Sequence, residues 1–364
     1  MSRRSLGEPA TASSLVPDSG GRTDRADVSL VNPSTRLTAH AGIATPLICG
    51  AMYPCSNPEL VAAVSEAGGI GIVQPISLVH VHGHDFREGL RLIRRLTTRP
   101  IGLNVLTERA LARVYQKRME AWLEIALDEG VRFFVTALGN PRWVVDRVKR
   151  KGGIVYHDVV DRRWGEKALA AGVDGLIAVN NLAGGHAGRK SPQELFDELQ
   201  PLGVPVVCAG GIGSPGDFVA ALQKGYDGVQ MGTRFIATPE CRAHDDYKAA
   251  IVRATADDIV LTERVTGVPL AVIRTPHVER VGTRAGWLGR RLLQGRHTRH
   301  WMRALYSIRS ALALRRASLR GASSSDYWQA GRSVAGIDSI EPAGAIVRRC
   351  AAAWRTLGGQ ATTA

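Results

Sequence analysis

The chain is poor in the residues that mark several protein classes. Five cysteines occur in 364 residues, at 49, 55, 208, 241 and 350, without a CxxC pair or metal-ligand spacing. Such an odd, scattered set reads as reduced thiols in a cytoplasmic protein, not as a disulfide scaffold or zinc site. Aromatic residues are 5 % of the chain. No run of 18 apolar residues is present, so no membrane span is expected. The start lacks an apolar segment and mixes Arg3, Arg4, Arg22 and Arg25 with Glu8, Asp18, Asp24 and Asp27. It does not read as a secretory signal, and residues 1–40 are expected to be a disordered leader. Acids are also scarce: 33 against 47 Lys and Arg, a net charge of +14.

What is present is a globular composition, 45 % hydrophobic, with forty glycines. The glycines show no period of three, which excludes a collagen-like chain. From Thr45 onward, short apolar runs alternate with amphipathic stretches. The runs are Pro46–Cys49, Gly69–Val73, Ile101–Val105, Val131–Val135, Ile154–Tyr156, Gly175–Val179, Val204–Cys208 and Gly228–Met231. The helices expected between and after them start near Asn57, Phe86, Val114, Pro141, Arg163, Pro192, Pro215 and Cys241. Asn57 has the identity of an N-cap, with Pro58 and Glu59 in the first turn. Several helices run into glycine before the next strand: Gly68, Gly130, Gly172 and Gly225. Strands that are apolar throughout are buried on both faces.

Eight such units most simply close into a (β/α)₈ TIM barrel over 41–255. An open doubly wound sheet is the competitor, but the first strand is followed by Gly50-Ala51-Met52, not by GxGxxG. Residues 256–364 read as a C-terminal, mostly helical lid region. It holds a strand-like stretch from Thr262 to Thr275, a basic helical segment over 284–320, a loop, and a last helix from about Pro342 to Leu357.

Barrel chemistry sits on the loops after the strands. Gly50, Ala51 and Met52 allow backbone to approach a flat ligand, with Met52 as a soft cover; a plain tight turn fits equally well. Asn104 is a lone amide in an apolar run and needs a partner, either a ligand or a structural bond. After the sixth strand, Gly184 and Gly185 precede His186 and Gly188 follows it. That framing lets an imidazole project as a base near working pH, against the alternative of a hydrogen-bonded loop histidine. Gly210 and Gly211 follow the seventh strand, and Gln230-Met231-Gly232-Thr233 close the eighth. Together with a helix start near Pro215, these make the usual phosphate site of a barrel enzyme. No lysine stands at a strand end for a pyridoxal Schiff base, which leaves FMN as the expected cofactor. No histidine and carboxylate set suggests a metal.

The runs Pro46–Met52, Pro58–Gly71, Ala183-Gly184-Gly185-His186, Ala209-Gly210-Gly211-Ile212, Gly228–Phe235 and Tyr327–Gly336 resemble, in this order, the nitronate monooxygenase family. FMN-dependent enoyl-acyl-carrier-protein reductases share the motifs. The resemblance covers about 45–280 and 325–350. It implies an FMN-bound barrel in which Gly50, Ala51 and Met52 lie against the isoalloxazine, and Asn104 and Gly184 contact the flavin. Gly211, Gln230, Met231, Gly232 and Thr233 hold its ribityl and phosphate. His186 is the implied base, taking a proton beside a nitro group before electrons pass to FMN and then O₂, with a carbonyl compound and nitrite as products. The alternative implied activity is NAD(P)H-dependent reduction of an enoyl thioester carried by acyl-carrier protein or CoA. The chain departs from the family at Val179, where Gln or Glu is usual, at Leu182, where an acid is usual, and at Arg332, where Gln follows Gly331. Val179 has no polar group to offer a flavin, and Asn180 or Asn181 is expected to supply one instead.

Ten arginines and no acid lie between Arg284 and Arg320, and removing that segment takes the net charge from +14 to +4. Trp301, Leu305, Ile308 and Leu312 form a helical apolar stripe within it. A packed lid with a solvated arginine face, an electropositive rim for an anionic substrate, and contact with a membrane surface or nucleic acid all stay open. Because the charge is one segment and not the whole surface, no nucleic-acid partner is expected, and membrane contact is the lesser reading. Homo-oligomer formation stays open.

Overall fold

The computed structural model describes residues 34–107, 113–264, 269–284, 315–316, 318–319 and 327–361. Eight parallel strands form a closed barrel in chain order: β1 (Leu47–Cys49), β2 (Ile70–Val73), β3 (Ile101–Thr107), β4 (Phe133–Gly139), β5 (Ile154–Val159), β6 (Gly175–Val179), β7 (Val206–Ala209) and β8 (Gly228–Met231). Strand β1 pairs with β8 to close the ring. The TIM barrel expected from the apolar runs is therefore the fold. Glycines 68, 130, 172 and 225 all adopt positive φ at helix-to-strand turns.

Two layers of side chain follow from the two-residue period of the strands. Ile48, Ile70, Ile72, Phe133, Val135, Tyr156, Ile177, Val207 and Ala209 face the lumen and pack on one another. The alternate residues pack outward, against a ring of helices: α2 (Pro58–Glu66), α3 (Phe86–Leu96), α4 (Arg113–Asp128), α5 (Arg142–Arg150), α6 (Arg162–Ala170), α7 (Pro192–Leu199) and α8 (Pro215–Gln223).

Within the stretch read as a disordered leader, α1 (Arg36–Ala41) is helical and closed by a capping box on Thr35 and Thr38. It plugs the amino end of the lumen: Leu37 is fully buried among the lumen residues, beside Gly228. The Arg36 guanidinium grips the Asp227 carboxylate with two bonds, of 2.8 and 2.9 Å, and His40 bonds the Tyr156 hydroxyl at 3.1 Å. Five of its six residues are polar or small, which hid this helix; Leu37 is its one large apolar side chain, buried with Thr38 and Ala41. Residues 1–33 lie outside the described residues.

Other boundaries differ for local reasons. Strand β5 runs on through His157 and Asp158, polar residues that read as loop. Strand β4 begins and ends later than its apolar run. The helix expected from Cys241 is α10 (Asp245–Arg253), preceded by a four-residue α9 (Thr233–Ile236). Asn57 sits at the N-cap of α2, but its side chain does not cap. It bonds Glu59 and the Glu240 carbonyl, and accepts from the Arg242 amide, so it ties α2 to the loop before α10.

After the barrel, β9 (Ile259–Thr262) and β10 (Leu270–Ile273) make an antiparallel hairpin, followed by α11 (Pro276–Val281). The last helix, α12 (Ala343–Ala361), packs on α2 and α8. Most of the arginine-rich segment, including 285–314, lies outside the described residues. All five cysteines are buried thiols. No helix among the described residues is long and apolar enough to cross a membrane.

The plug gives a first prediction. Leu37→Ala leaves a lumen cavity that rigid strands cannot collapse around, and is expected to cost about 2–4 kcal/mol. A lowered unfolding midpoint in thermal melts checks it; an unchanged midpoint means that α1 does not close the barrel.

Candidate active site at the carboxyl end of the barrel

The apolar lumen stops before the mouth. Register places Asn104 opposite Val135, Asp158 opposite Ile177, and Gln230 opposite Ile48 and Ala209. Each of those partners faces the lumen, so these polar side chains face it too. Asn104 is 8 % exposed, and its side chain makes no hydrogen bond among the described residues. Gln230 Oε1 and Asp158 Oδ1 are buried without a partner. Gly50 completes the ring: its amide donates to the Met231 carbonyl at 3.0 Å, and a Cβ there would meet the Gln230 side chain at 3.0 Å. Ala51 packs toward the lumen, and Met52 closes over Gly232.

Met231 belongs to the other layer. Its side chain is buried outside the barrel, so it can offer a ligand only backbone. Thr233 is also engaged, its Oγ accepting the Gly331 amide at 3.0 Å.

At the start of α8 part of the donor set is already taken: the Asp217 carboxylate accepts from the Gly213 amide, the Ser214 amide and the Ser214 hydroxyl. Ser333 and Gly336 also lie directly against Gly213. The backbone amides of Gly211, Gly216, Gly232 and Thr233 donate to no described residue. Nearby Arg234 is buried at 1 % exposure and spends its guanidinium on the Ala237 and Ser339 carbonyls, a structural lock.

The Gly184–His186 loop is held from both sides. Strand β10 takes it on one edge, the Ala271 amide donating to the Gly185 carbonyl at 2.8 Å. On the other side a Cβ on Gly331 would stand 2.6 Å from the Gly184 amide nitrogen and 2.6 Å from the Leu182 carbonyl, and only glycine fits. The Arg332 amide bonds that same Leu182 carbonyl. Asn180 locks the base of the loop to β7, donating to the Gly210 carbonyl at 3.0 Å and accepting from the Leu182 amide at 2.8 Å. Asn180 is thus fully committed, and Asn181 is exposed.

Two titratable groups at the mouth are held toward their neutral forms. His186 is exposed to solvent, and the protein packed around it still lowers its pKa by desolvation. Burial pushes Asp158 up to about 7. Sequence reading missed Asp158 because it took β5 to end at Tyr156; alternation from Tyr156 would have found it. The adjacent His157 points outward onto the Thr136 hydroxyl at 2.8 Å and is pulled down to about 4 by burial.

Residues 34–349 match the family model described as nitronate monooxygenase. The chain belongs to the nitronate monooxygenase family. Family members are flavin-dependent oxidoreductases, and so is this chain in general class. A curated relative, the (3aS,4S,5R,7aS)-5-hydroxy-7a-methyl-1-oxo-octahydro-1H-indene-4-carboxyl-CoA dehydrogenase of Mycobacterium tuberculosis, is 31 % identical over 69 % of this chain and 70 % of its own. A probable nitronate monooxygenase of Staphylococcus saprophyticus is 27 % identical over 68 % of this chain and 81 % of its own. Among solved structures, FabK from Thermotoga maritima superposes with a TM-score of 0.74 at 26 % identity, covering 91 % of this chain and 99 % of that one.

The buried carboxyl makes stability depend on pH. The Asp158 pKa is higher folded than unfolded, so its contribution is whole below about pH 4 and is lost as pH rises through about 7. Asp158→Asn removes that loss. The variant should gain on the wild type by up to about 4 kcal/mol between acid and alkaline pH, less where water reaches Oδ2. Parallel denaturation curves for the two proteins at several pH values test this, and a pH-independent difference would refute it.

Proposed function

We propose that the chain is an FMN-dependent oxidoreductase in which His186 moves a proton at a carbon beside an electron-withdrawing group. The observation that carries this reading is the neutral-leaning His186 on a doubly clamped glycine loop over the barrel mouth. FMN suits the residues around it. Asn104, Gln230 and Gly50 offer a polar, uncluttered lumen rim for a flat ring, with Ala51, Met52 and Gly184 around its edge. The amides of Gly211, Gly232 and Thr233 suit a phosphate, with Gly185 and Gly210 keeping the approach open. Bound FMN supplies the two-electron acceptor or donor.

The protein's own part is positional and electrostatic. A neutral imidazole can accept a proton from carbon, and desolvation by the surrounding protein shifts His186 toward that form. The Gly331 contact and the β10 bridge fix the loop, so little reorganisation is needed when the base acts. Backbone amides at the mouth favour the oxygen on which negative charge develops.

The substrate reading favoured here is an acyl thioester of the CoA class. The relative at 31 % identity acts on a CoA thioester by its name, and enoyl thioester reductases share the motifs. The apolar Val179 and Leu182, in place of the usual polar group and acid, also separate the site from the pattern of nitronate enzymes. Oxidation of a nitroalkane or nitronate by O₂ is the second reading, favoured by the family model.

The deciding measurement is aerobic nitrite release from a nitroalkane, set beside anaerobic flavin reduction by NADH or NADPH and by a hydroxyacyl-CoA. Reduction by pyridine nucleotide or thioester without nitrite supports the thioester reading; rapid nitrite release with neither overturns it. In either case His186→Asn should retain FMN and lose turnover of neutral substrate by about 10²-fold or more. Retained turnover removes His186 from its role.

A further inference from the structure

Position 179 is polar in the family and apolar here, and the sequence pointed to Asn180 or Asn181 as its replacement. The structure engages the first of these, since Asn180 is spent on the Gly210 carbonyl and the Leu182 amide, while Asn181 is exposed on the loop and does not face the lumen strands. One lumen-facing polar group close by is unspent. Asp158 lies on β5, the strand paired with β6, and faces the lumen opposite Ile177. Its Oδ1 is buried without a partner.

Its place in the ring adds a second argument. Asn104 is on β3 and Gln230 on β8, separated around the closed barrel by β1 and β2. A planar ring that touches both must extend over the lumen. Asp158, on β5, faces the same lumen from the remaining side, within reach of a ring that spreads across it. Asp158 is half-buried, and a carboxyl oxygen buried with no bond is costly unless a ligand satisfies it.

We propose that Asp158 is a flavin-contacting residue, a neutral carboxylic acid that donates a hydrogen bond to the ring and supplies from β5 the polar group that Val179 does not. The inference rests on the FMN reading above. Burial alone raises this group's pKa, so the acid form is available at and below neutrality. No ionisable side chain comes from the paired strands β4 and β6. On β5 itself, Tyr156 lies one layer deeper on the His40 ring and His157 points outward to Thr136. His186 follows β6 on the mouth loop. Asp158 is thus the one acid facing this part of the lumen among the described residues.

The test is FMN binding by the full-length apoprotein, read as quenching of flavin fluorescence at about pH 6 and about pH 8.5, with a thermal melt of each variant. Asp158→Ala should bind FMN about tenfold more weakly at the lower pH, with a melting point no lower than that of the wild type. Adding Val179→Gln to that variant should restore binding, which a merely structural role for Asp158 does not predict. Asp158→Asn should match the wild type at the lower pH and hold its affinity at the higher one, where the wild type ionises and weakens. Equal FMN affinity of Asp158→Ala and wild type at both pH values overturns the proposal. Absence of FMN binding by the wild type overturns the cofactor reading itself, which separates the two failures.

Discussion

Closing eight parallel strands into a ring sends every second side chain into a lumen without bulk water. That constraint sorts the chain. Ile48, Ile72, Val135 and Ile177 fill the middle of the lumen, and Leu37 stops its lower end. A polar group can enter only where something other than solvent satisfies it. Asn104, Asp158 and Gln230 appear only at the upper end, and two of them keep buried oxygens without partners. The barrel is therefore finished at its amino end and chemically incomplete at its carboxyl end, which is where a ligand belongs.

The C-terminal region has a definite role in that incompleteness. It does not merely cover the barrel. Gly331 meets Gly184 backbone to backbone, Thr233 accepts the Gly331 amide, and Ser333 and Gly336 seal Gly213. Strand β10 bridges the same loop through Gly185 and, on the next residue, reaches Gln329. Three segments distant in sequence thus converge on the loop that carries His186. A loop of glycines alone would leave the imidazole mobile; the clamps remove that freedom before substrate arrives.

The barrel was legible because buried parallel strands write continuous apolar runs, and because glycine marks several of the helix ends. The mouth loops were legible because glycine, histidine and threonine recur at strand ends. Side-chain direction was not. Met231 looked like a ligand contact from its motif, but its position in the two-residue alternation sends it outward. Asp158 looked like loop because polar residues end a hydrophobic pattern, although alternation continues through them. Asn180 looked available until Gly210, from the loop after β7, and its own neighbour Leu182 took its side chain. At the α8 start, Asp217 claims the two amides before the helix. The deciding partner is remote in sequence, set by strand length, or a side chain folding back on its own loop.

Electrostatics at the mouth follow from the same dryness. Low dielectric disfavours charge of either sign, so it lowers His186 and raises Asp158 together. An active site with both groups near neutral suits an uncharged ring and a carbon acid better than a permanent ion pair. Charge is instead kept at the periphery. Arg315, at the end of the arginine-rich segment, lies near enough to Tyr53 and His80 for its charge to lower both, Tyr53 against a larger rise from burial. Tyr53 follows Met52 directly, so this end of the basic segment stands beside the mouth. On the reading proposed above, a cationic side chain beside an uncharged reaction centre suits a substrate whose reacting end is uncharged and whose handle is anionic, as in a CoA thioester.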